Sequence, residues 1–500
     1  HAHVEKGYLN PIRCGVQELA IIPSKFALVE AYERGCARAA FEAMGQGSPS
    51  LQLQARFAEG NIVDKKAQDT LFSDGITVPF SRNDDAIDTT STLMADAKVD
   101  RINQPTLRTP NGEVARLDSM ERTAEGWNHE EVKSGLSVKD KHKFDALVST
   151  DRALRAGVSI EDTWLVHLNR DWRLGDPDLD LFSTENITGS MSDPDMVQFL
   201  ADTTSKLMAD SPPAAALVSG CWGCPHFSNC FGQTDNPITD LSRVKQEGIA
   251  ELSGHGVVDI ADIPPGFELT GVQGAHVDLV MSGQPIVNQD GLRERLDEIQ
   301  NPVRHLDFES ASFAIPLHAD VAPWGHVATQ YSMHLESEAG LVHHEFLVEA
   351  EGDQRRALAE RLIEDLGTEG SIVVWSVAYE RGRIRDMAAW FPDLAPQLNA
   401  IEQRLYDLLP TVRANVQHPG FHNSYSLKSV APGLVPGFGY DDLDIAGGGD
   451  AQGAMNLMMR GRIAAEEVPV LRERLLRYCE RDTEATANIL QALRDFVVSS

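Results

Sequence analysis

The sequence contains no long apolar run. No stretch approaches the roughly 18 consecutive apolar residues that a membrane-spanning helix requires, so we expect no membrane partner. The first residues, His1 to Lys6, contain neither an apolar signal core nor an initiating Met. Because an export signal needs such a core, the expectation is a cytoplasmic protein.

Basic residues are also few. The chain has 44 Lys and Arg against 75 Asp and Glu, which gives a net charge of −31. Nucleic-acid-binding proteins normally have a basic excess, because phosphate contacts supply much of their affinity. This composition excludes a generally basic binding surface and leaves binding through metal ions and a local basic groove. An acidic, salt-tolerant proteome would give the same composition.

Cysteine is scarce, with six residues in a chain of 500. Without a secretory signal, disulfide bonds are not expected, and clustered cysteines indicate a metal. Cys221, Cys224 and Cys230 form a C-x2-C-x5-C run. With a fourth cysteine from elsewhere, these thiolates fit a tetrahedral zinc ion or a four-cysteine iron–sulfur cluster. Three buried free cysteines are the alternative.

What remains is typical of a globular protein of two to four domains. Residues 303–308 form a compact apolar run after Pro302, which predicts a short buried strand. Asp307 and Glu309 are two residues apart, so both carboxylates project from one face of that strand. Two such acids repel each other unless a divalent metal ion lies between them. The alternative is a pair of acids on a polar surface.

A second group of chemical residues lies nearer the N-terminus. Residues 113–118 and 127–133 have the pattern of two strands, which place Asp118 at a strand end and Glu131 and Lys133 on one face. Two acids can hold Mg²⁺ or Mn²⁺ beside a phosphodiester, and a lysine can orient or deprotonate the attacking water. Helical spacing predicts helices over residues 24–45, with Cys36 inside, and 54–70.

These motifs together resemble the iron–sulfur nucleases of the RecB/AddB type over roughly residues 20–235. The resemblance implies a PD-(D/E)xK core with Asp118, Glu131 and Lys133 as catalytic residues and the two acids as metal ligands. It also implies a [4Fe-4S] cluster fastened by one early and three late cysteines. The ligands implied are Cys36, Cys221, Cys224 and Cys230, with Cys14 as the alternative early ligand.

Two departures from that family concern the chemistry. The histidine that the family often carries in its second helix is replaced by the segment 60–64. The glutamine motif that follows the lysine falls at Ser149, between Asp145 and Gly157. Either loss would mean slower chemistry, altered metal use, or a domain that binds without cutting.

A third group of residues lies in the last part of the chain. Residues 371–377 predict a strand, and a helix that begins at Tyr379 places Glu380 at the strand-to-helix junction. One long helix is predicted over residues 466–497, where Tyr478 and Asp482 share a face as i and i+4. Cys479 is expected to be a buried helix residue that binds no cluster.

This order of motifs resembles the DnaQ-like, RNase H-fold 3′→5′ exonucleases of the DEDDy group. The resemblance implies that four acids hold two metal ions, about 4 Å apart, and that Tyr478 positions the attacking water. The four acids are Asp307, Glu309, Glu380 and Asp482. Glu380 departs from the usual Asp by one methylene group. Lys428 and Asp407 match further positions, and substrate contact or support of the ligands is the role expected of them.

The whole arrangement resembles a two-domain bacterial family of unknown function. The expected fold class is α/β, with a PD-(D/E)xK restriction-endonuclease-like domain and an RNase H-like domain joined by a small helical connector. Their predicted bounds are 1–238 (the front half), 239–300 (the connector) and 301–500 (the back half). The connector has a helix-hairpin-helix-like pattern, and a plain spacer is the alternative.

The function expected is that of a metal-dependent nuclease with two active sites, acting on single-stranded ends or flaps of DNA. All-oxygen ligation favours Mg²⁺ or Mn²⁺. Two alternatives remain at this point. In one, the front half is a degenerate DNA-binding scaffold that delivers one active exonuclease. In the other, the enzyme is an RNA-processing exonuclease.

Overall fold

A computed structural model describes residues 23–44, 49–81, 84–209, 211–445 and 447–498. Cys14 and the first residues of the chain lie outside the described residues. The structure is of the mixed α/β class and contains several sheets. No helix in the described part of the chain is both long enough and apolar enough to cross a membrane.

The front half is built on a six-stranded mixed sheet with the order β1-β2-β5-β6-β7-β8. Its helices are α1 (Lys25–Arg34), α2 (Ala37–Met44), α3 (Leu51–Asp69), α4 (Asp85–Ala95), α5 (Asp140–Arg155), α6 (Pro194–Leu207) and α7 (Phe227–Phe231). Its strands are β1 (Ile76–Thr77), β2 (Arg101–Asn103), β3 (Thr106–Arg108), β4 (Val114–Arg116), β5 (Ser119–Arg122), β6 (Trp127–Val132), β7 (Ile160–Leu168) and β8 (Phe182–Asn186). Strands β6 and β7 of this sheet are parallel to each other.

The helix predicted over residues 24–45 is wrong in one respect, because it is broken in the middle. Gly35 ends α1 in the left-handed conformation, with φ of 63°, and its N–H donates to the carbonyls of Ala31 and Tyr32. Glycine takes this conformation without the steric cost that other residues pay. Cys36 therefore lies between α1 and α2 and not inside a helix.

The strands predicted over 113–118 and 127–133 differ from those observed. Residues 113–122 form two short strands, β4 and β5, and Asp118 lies between them. The third strand, β6, ends at Val132, so Lys133 follows it directly. The helix predicted over 54–70 is confirmed as α3.

The middle of the chain contains three helices and one short strand. They are α8 (Gln246–Gly254), α9 (Gly271–Ser282), β9 (Ile286–Val287) and α10 (Gln289–Leu296). Helix α8 packs with the cysteine-containing segment in one apolar cluster that includes Cys221, Ile249 and Leu252. Helix α10 instead packs through Leu292 against the back half.

The back half is built on a five-stranded sheet with the order β12-β11-β10-β13-β14. Its strands are β10 (Arg304–Ser312), β11 (His326–Ser337), β12 (Gly340–Leu347), β13 (Ile372–Val374), β14 (Leu405–Asp407) and the separate β15 (Val416–Gln417). Its helices are α11 (Arg355–Leu366), α12 (Val377–Trp390), α13 (Ala395–Glu402), α14 (Leu408–Asn415), α15 (Leu427–Leu434), α16 (Gly448–Met459) and α17 (Val468–Val498). The first three strands of the sheet are antiparallel, and β10, β13 and β14 are parallel.

The predicted strand at residues 303–308 and the predicted long C-terminal helix are both confirmed, as β10 and α17. Leu306 and Phe308 of β10 pack into the main core of the back half. Because side chains alternate along a strand, Asp307 and Glu309 project from the opposite face. The apolar alternation therefore fixes the direction of the two acids.

The two halves contact each other through α3 and α16. Gly453 of α16 lies so close to α3 that a Cβ atom there would stand 2.6 Å from the carbonyl oxygen of Leu51. Glu59 of α3 is 1% exposed and forms an ion pair with Arg460 at 2.8 Å. Its other oxygen accepts a hydrogen bond from the N–H of Ala314, just beyond β10. A single buried carboxylate thus joins the front half to the strand that carries Asp307.

Candidate active sites

Three acids from the two ends of the back half meet at one place. Asp307 and Glu309 come from the central strand β10, and Asp482 comes from α17. One carboxylate oxygen of each lies within 4.8 Å of the others. Strand β10 has an irregular register with β11 directly after Glu309. The sequence predicted this convergence of acids that are about 175 residues apart.

Glu380 is the fourth predicted acid, and it is buried in the first turn of α12. Its charge acts on Asp307 and on Glu309, so it lies near these acids, outside the group of three whose oxygens lie within 4.8 Å of one another. Burial raises the pKa of Glu380 to about 8, and the charge of Asp407 acts in the same direction. Within the described part of the chain, Glu380 Oε2 and Asp407 Oδ1 are buried without a hydrogen-bond partner.

The surroundings of these acids disfavour their ionised form. Burial raises the pKa of Asp307 well above its usual range, and the charges of Asp482, Glu309 and Glu380 add to that effect. Burial and Asp482 also raise the pKa of Glu309 well above its usual range. Carboxylates forced together in this way accept either protons or cations. We call these four acids the back acid site.

Two tyrosines surround the acid from α17. Tyr440 donates a hydrogen bond to Asp482 Oδ1 at 2.7 Å, and the hydroxyl of Tyr478 lies near Asp482. Burial, followed by the charge of Asp482, raises the pKa of Tyr478. The hydroxyl of Tyr478 is therefore protonated at pH 7, so it can orient a water molecule but cannot act as a base.

Lys428 is the cation that faces this site. Its Nζ atom lies 4.6 Å from the ring centroid of Tyr478 and 5.3 Å from that of Tyr440. Burial lowers the pKa of Lys428, and the charges of Asp482 and Glu309 oppose that shift. The side chain predicted to contact substrate thus lies beside the acids.

Cys479 is buried, as predicted, and its thiol reaches the same site. Its Sγ atom lies 3.6 Å from Asp307 Oδ2. Burial raises the pKa of Cys479 well above its usual range, and the charges of Asp307 and Glu309 contribute. A neutral thiol here donates to the acid and does not add another negative charge.

The front site is organised around Glu131, which is the penultimate residue of β6 and is 2% exposed. Lys133, the residue after the strand, contacts Glu131 Oε1 at 2.6 Å. Asp118 is held nearby, because its Oδ2 atom accepts the backbone N–H of Val132 at 2.8 Å. The three residues predicted for this site therefore come together.

Two further charged residues of this site, Lys25 and Asp145, were not predicted to be functional. Lys25 of α1 lies 2.7 Å from Glu131 and 2.8 Å from Asp145 of α5. Lys133 lies 2.6 Å from Glu131 and 2.5 Å from Asp145. Two amines and two carboxylates thus alternate around one point. Although burial opposes them, Lys133 and Lys25 hold the pKa of Glu131 well below its usual range.

The pKa of Asp118 is shifted in the opposite direction from that of Glu131. Burial raises the pKa of Asp118 to about 7, and the charges of Asp64 and Glu131 act in the same direction. Asp64 is in α3, within the segment where the resemblance led us to expect a histidine. The structure therefore places a carboxylate near the position of the missing histidine. The missing glutamine position, Ser149, is buried in α5.

The four predicted cluster ligands line one pocket. They are Cys36, Cys221, Cys224 and Cys230. Gly220 makes this possible, because a Cβ atom there would stand 2.1 Å from the carbonyl oxygen of Arg34, at the end of α1. Only glycine allows the late cysteine segment to approach Cys36 so closely.

The pocket does not bring three cysteine sulfurs as close together as the oxygens of Asp307, Glu309 and Asp482. In the described part of the chain, two groups of three ligand atoms lie within 4.8 Å of one another, and neither contains a cysteine. Burial raises the pKa of Cys221, and it raises the pKa of Cys230 as well. The identity of any bound cofactor stays a prediction.

The comparison with family models gives one match. The family described as "Domain of unknown function (DUF2779)" matches residues 304–426. That range begins at the first residue of β10, contains Asp307, Glu309 and Glu380, and ends before Tyr478 and Asp482. Neither the comparison with curated proteins nor the comparison with solved structures gives a match.

Proposed function

We propose that this protein is a metal-dependent nuclease whose principal active site is the back acid site. The observation that carries this proposal is the approach of Asp307, Glu309 and Asp482 to within 4.8 Å of one another. Three acids brought together from distant parts of a chain repel one another, and bound cations would remove that repulsion. The reaction proposed is hydrolysis of DNA phosphodiester bonds from a 3′ end.

The donors of this site favour a hard divalent cation. All are carboxylate oxygens, which suit Mg²⁺ or Mn²⁺ better than Zn²⁺. Asp307, Glu309, Glu380 and Asp482 would hold the ions. Ions bound there would neutralise the phosphodiester and activate the attacking water.

The surrounding side chains have roles that fit this chemistry. Tyr478 carries a protonated hydroxyl beside Asp482 and would orient the attacking water. Lys428 lies over the Tyr478 ring, where its charge would meet a phosphate of the bound strand. Lys428 would thus provide a local positive charge for phosphate binding in a chain whose overall composition is acidic.

The sheet of the back half supports the finer fold proposal. The acids of a DnaQ-like, RNase H-fold site would lie on the central strand and on a helix packed beside it. Strand β10 is central in the order β12-β11-β10-β13-β14, and α17 packs against it. For the front half, the mixed sheet with Glu131 and Lys133 at the end of β6 is the support for a PD-(D/E)xK-like core.

One observation favours the second candidate function, in which the front half binds DNA without cutting it. Glu131 is already paired with Lys25 and Lys133, and its remaining oxygen lies 3.2 Å from His129 Nε2. Both amines contact Oε1, so a metal ion at that oxygen would have to displace one of them. At the back acid site Lys428 faces the acids from over the Tyr478 ring, so the two sites should differ in metal affinity.

The cysteine pocket is suited to a [4Fe-4S] cluster held by Cys36, Cys221, Cys224 and Cys230. Four thiolates suit a zinc tetrahedron as well, and the resemblance to the iron–sulfur nucleases favours the cluster. A cluster would fasten the start of the front half to its end. A brown preparation with iron and sulfide supports this proposal, and a colourless one with one zinc per chain contradicts it.

The function is tested with single strands that carry a 3′ label, as matched DNA and RNA oligomers, in Mg²⁺ and in Mn²⁺. We expect loss of the label with DNA, and Asp307→Asn should abolish it. The control is Asp393→Asn, an exposed acid that pairs with Arg356. Digestion by Asp307→Asn at the wild-type rate contradicts the proposal, and faster digestion of RNA than of DNA favours the RNA-processing alternative.

A further inference from the structure

Three histidines form a row across the back sheet. The strand register pairs His305 of β10 with His334 of β11, and His334 with His343 of β12. The next row on the same face contains Asp307, paired with Ser332. The histidine row therefore lies beside the row that contains Asp307 and extends from β10 across β11 to the edge strand β12.

Two of these histidines meet a carboxylate from α17. One ligand atom each from His334, His343 and Glu480 lies within 4.8 Å of the others. His343 Nδ1 is 3.5 Å from Glu480 Oε1. The two imidazole rings are stacked, with centroids 4.7 Å apart and planes 26° apart. Strands and helix thus bring two nitrogen donors and one oxygen donor to one point.

The other ring nitrogens of both histidines are held by hydroxyl groups. His334 Nδ1 lies 2.8 Å from Thr483 Oγ1, and His343 Nε2 lies 2.9 Å from Ser332 Oγ. The two hydroxyls are also 2.8 Å from each other. Metal-binding histidines characteristically use their second nitrogen in this way, which fixes the ring orientation and the tautomer. The nitrogens left for a ligand are Nε2 of His334 and Nδ1 of His343.

We propose that His334, His343 and Glu480 bind one transition-metal ion of the Zn²⁺ class, at a site separate from the back acid site. Two imidazoles and one carboxylate are a donor set that suits Zn²⁺ and its neighbours and does not suit Mg²⁺. Binding draws the three donors together, because bonds of about 2.0–2.1 Å require donor atoms about 3.4 Å apart.

The site is reachable from solvent and incomplete without a further ligand. The side chains of His343 and Glu480 are 23% and 45% exposed. Three protein donors leave a fourth position for water or for an anionic ligand.

An ion at this point fastens the edge strand β12 to α17, the helix that carries Tyr478 and Asp482. Glu480 is two residues from each of these side chains. The ion therefore positions a helix of the back acid site, although its own binding does not depend on the proposed nuclease activity.

The test is a calorimetric titration of the full-length chain with zinc chloride. Zn²⁺ can also enter the cysteine pocket or the back acid site, so the number of equivalents is compared between variants. We expect His343→Gln and Glu480→Gln each to bind one equivalent fewer than the wild type. His344→Gln, the matched control, should bind as many as the wild type, because His344 faces away and lies 3.2 Å from Asp365.

A double variant and a folding control complete the test. Asp307→Asn combined with His343→Gln should bind one equivalent fewer than Asp307→Asn alone, which separates this site from the back acid site. Should His343→Gln fail to fold by circular dichroism, the exposed Glu480→Gln decides the matter. An unchanged number of equivalents in a folded variant, or an equal loss in His344→Gln, overturns the proposal.

Discussion

The ε-amino group of Lys25 lies 2.7 Å from Glu131, so an acid predicted to bind metal is already paired with a cation from another helix. Lys25 comes from α1 and Glu131 from β6, and more than a hundred residues separate them. Asp145 and Lys133 complete the arrangement. The front site is therefore an ion-pair network, whereas the back acid site is a group of acids that Lys428 faces.

Replacing Lys25 by Met should strengthen metal binding at the front site. The substitution removes a positive charge next to Glu131, so a metal ion no longer has to compete with it. Each 1.4 kcal/mol of additional binding free energy of the metal ion is about tenfold in affinity. We expect the Mn²⁺ concentration that half-saturates the front site, measured with Asp307→Asn in the background, to fall about tenfold. Lys141→Met, which removes an outer pair with Glu33, is the control. A higher Mn²⁺ requirement would instead make Lys25 part of the working site.

Stability without metal should fall as the pH rises. The pKa of Glu380 is about 8 in the folded protein against an ordinary value of 4.5, so the folded state binds more protons between these values. Stability from this group is complete below about pH 4.5 and is lost toward pH 8, by about 1.4 kcal/mol per pH unit. Melting temperatures measured in EDTA should show this decline.

Glu380→Gln should reduce that decline, because glutamine does not titrate. Mg²⁺ should reduce it as well, since the ion stabilises the carboxylate form. An identical pH profile for wild type and Glu380→Gln in EDTA would contradict the assignment of a buried, uncompensated acid at this position.

Breaking the buried ion pair between the halves should destabilise the protein strongly. Glu59→Gln leaves Arg460 without its partner in a buried position, which typically costs about 3–5 kcal/mol. Asp69→Asn, in the same helix, removes an exposed pair with Lys65 and should cost less than about 1 kcal/mol. Urea unfolding of the two variants compares them directly. Equal losses would show that Glu59 does not join the halves.

Tyr478→Phe should slow catalysis and leave metal binding unchanged. The substitution keeps the ring under Lys428 but removes the hydroxyl beside Asp482. Loss of one positioning hydrogen bond corresponds to roughly 10- to 1,000-fold in rate. Single-turnover digestion and Mn²⁺ titration separate the two effects. Tyr331→Phe, which removes a buried hydroxyl that donates to Asp365, is the control.

The sequence predicts the candidate site residues of this protein better than it predicts the side chains that contact them. Strand β10, helix α17 and the convergence of Asp307 with Asp482 follow from local spacing and from the resemblance. The break at Gly35 also has a local signal, because a glycine in a helical pattern often ends the helix. Each of these features depends on residues that are close together in the chain or on a recognised motif.

The features that were missed depend on tertiary contacts. Lys25 and Asp145 come from two different helices, and their meeting at Glu131 requires the packing of α1 against α5. The row of His334 and His343 requires the register of β11 with β12, which is known only once the strands are paired. Spacing along the chain contains neither piece of information.

The central claim is that the four acids of the back half hold divalent cations for phosphodiester hydrolysis. The most direct measurement is anomalous scattering from crystals of the full chain soaked in Mn²⁺, with and without a short single strand of DNA. The account predicts manganese peaks among Asp307, Glu309, Glu380 and Asp482, with the 3′-terminal phosphodiester beside them. Manganese bound elsewhere while these four acids remain without it would contradict the account.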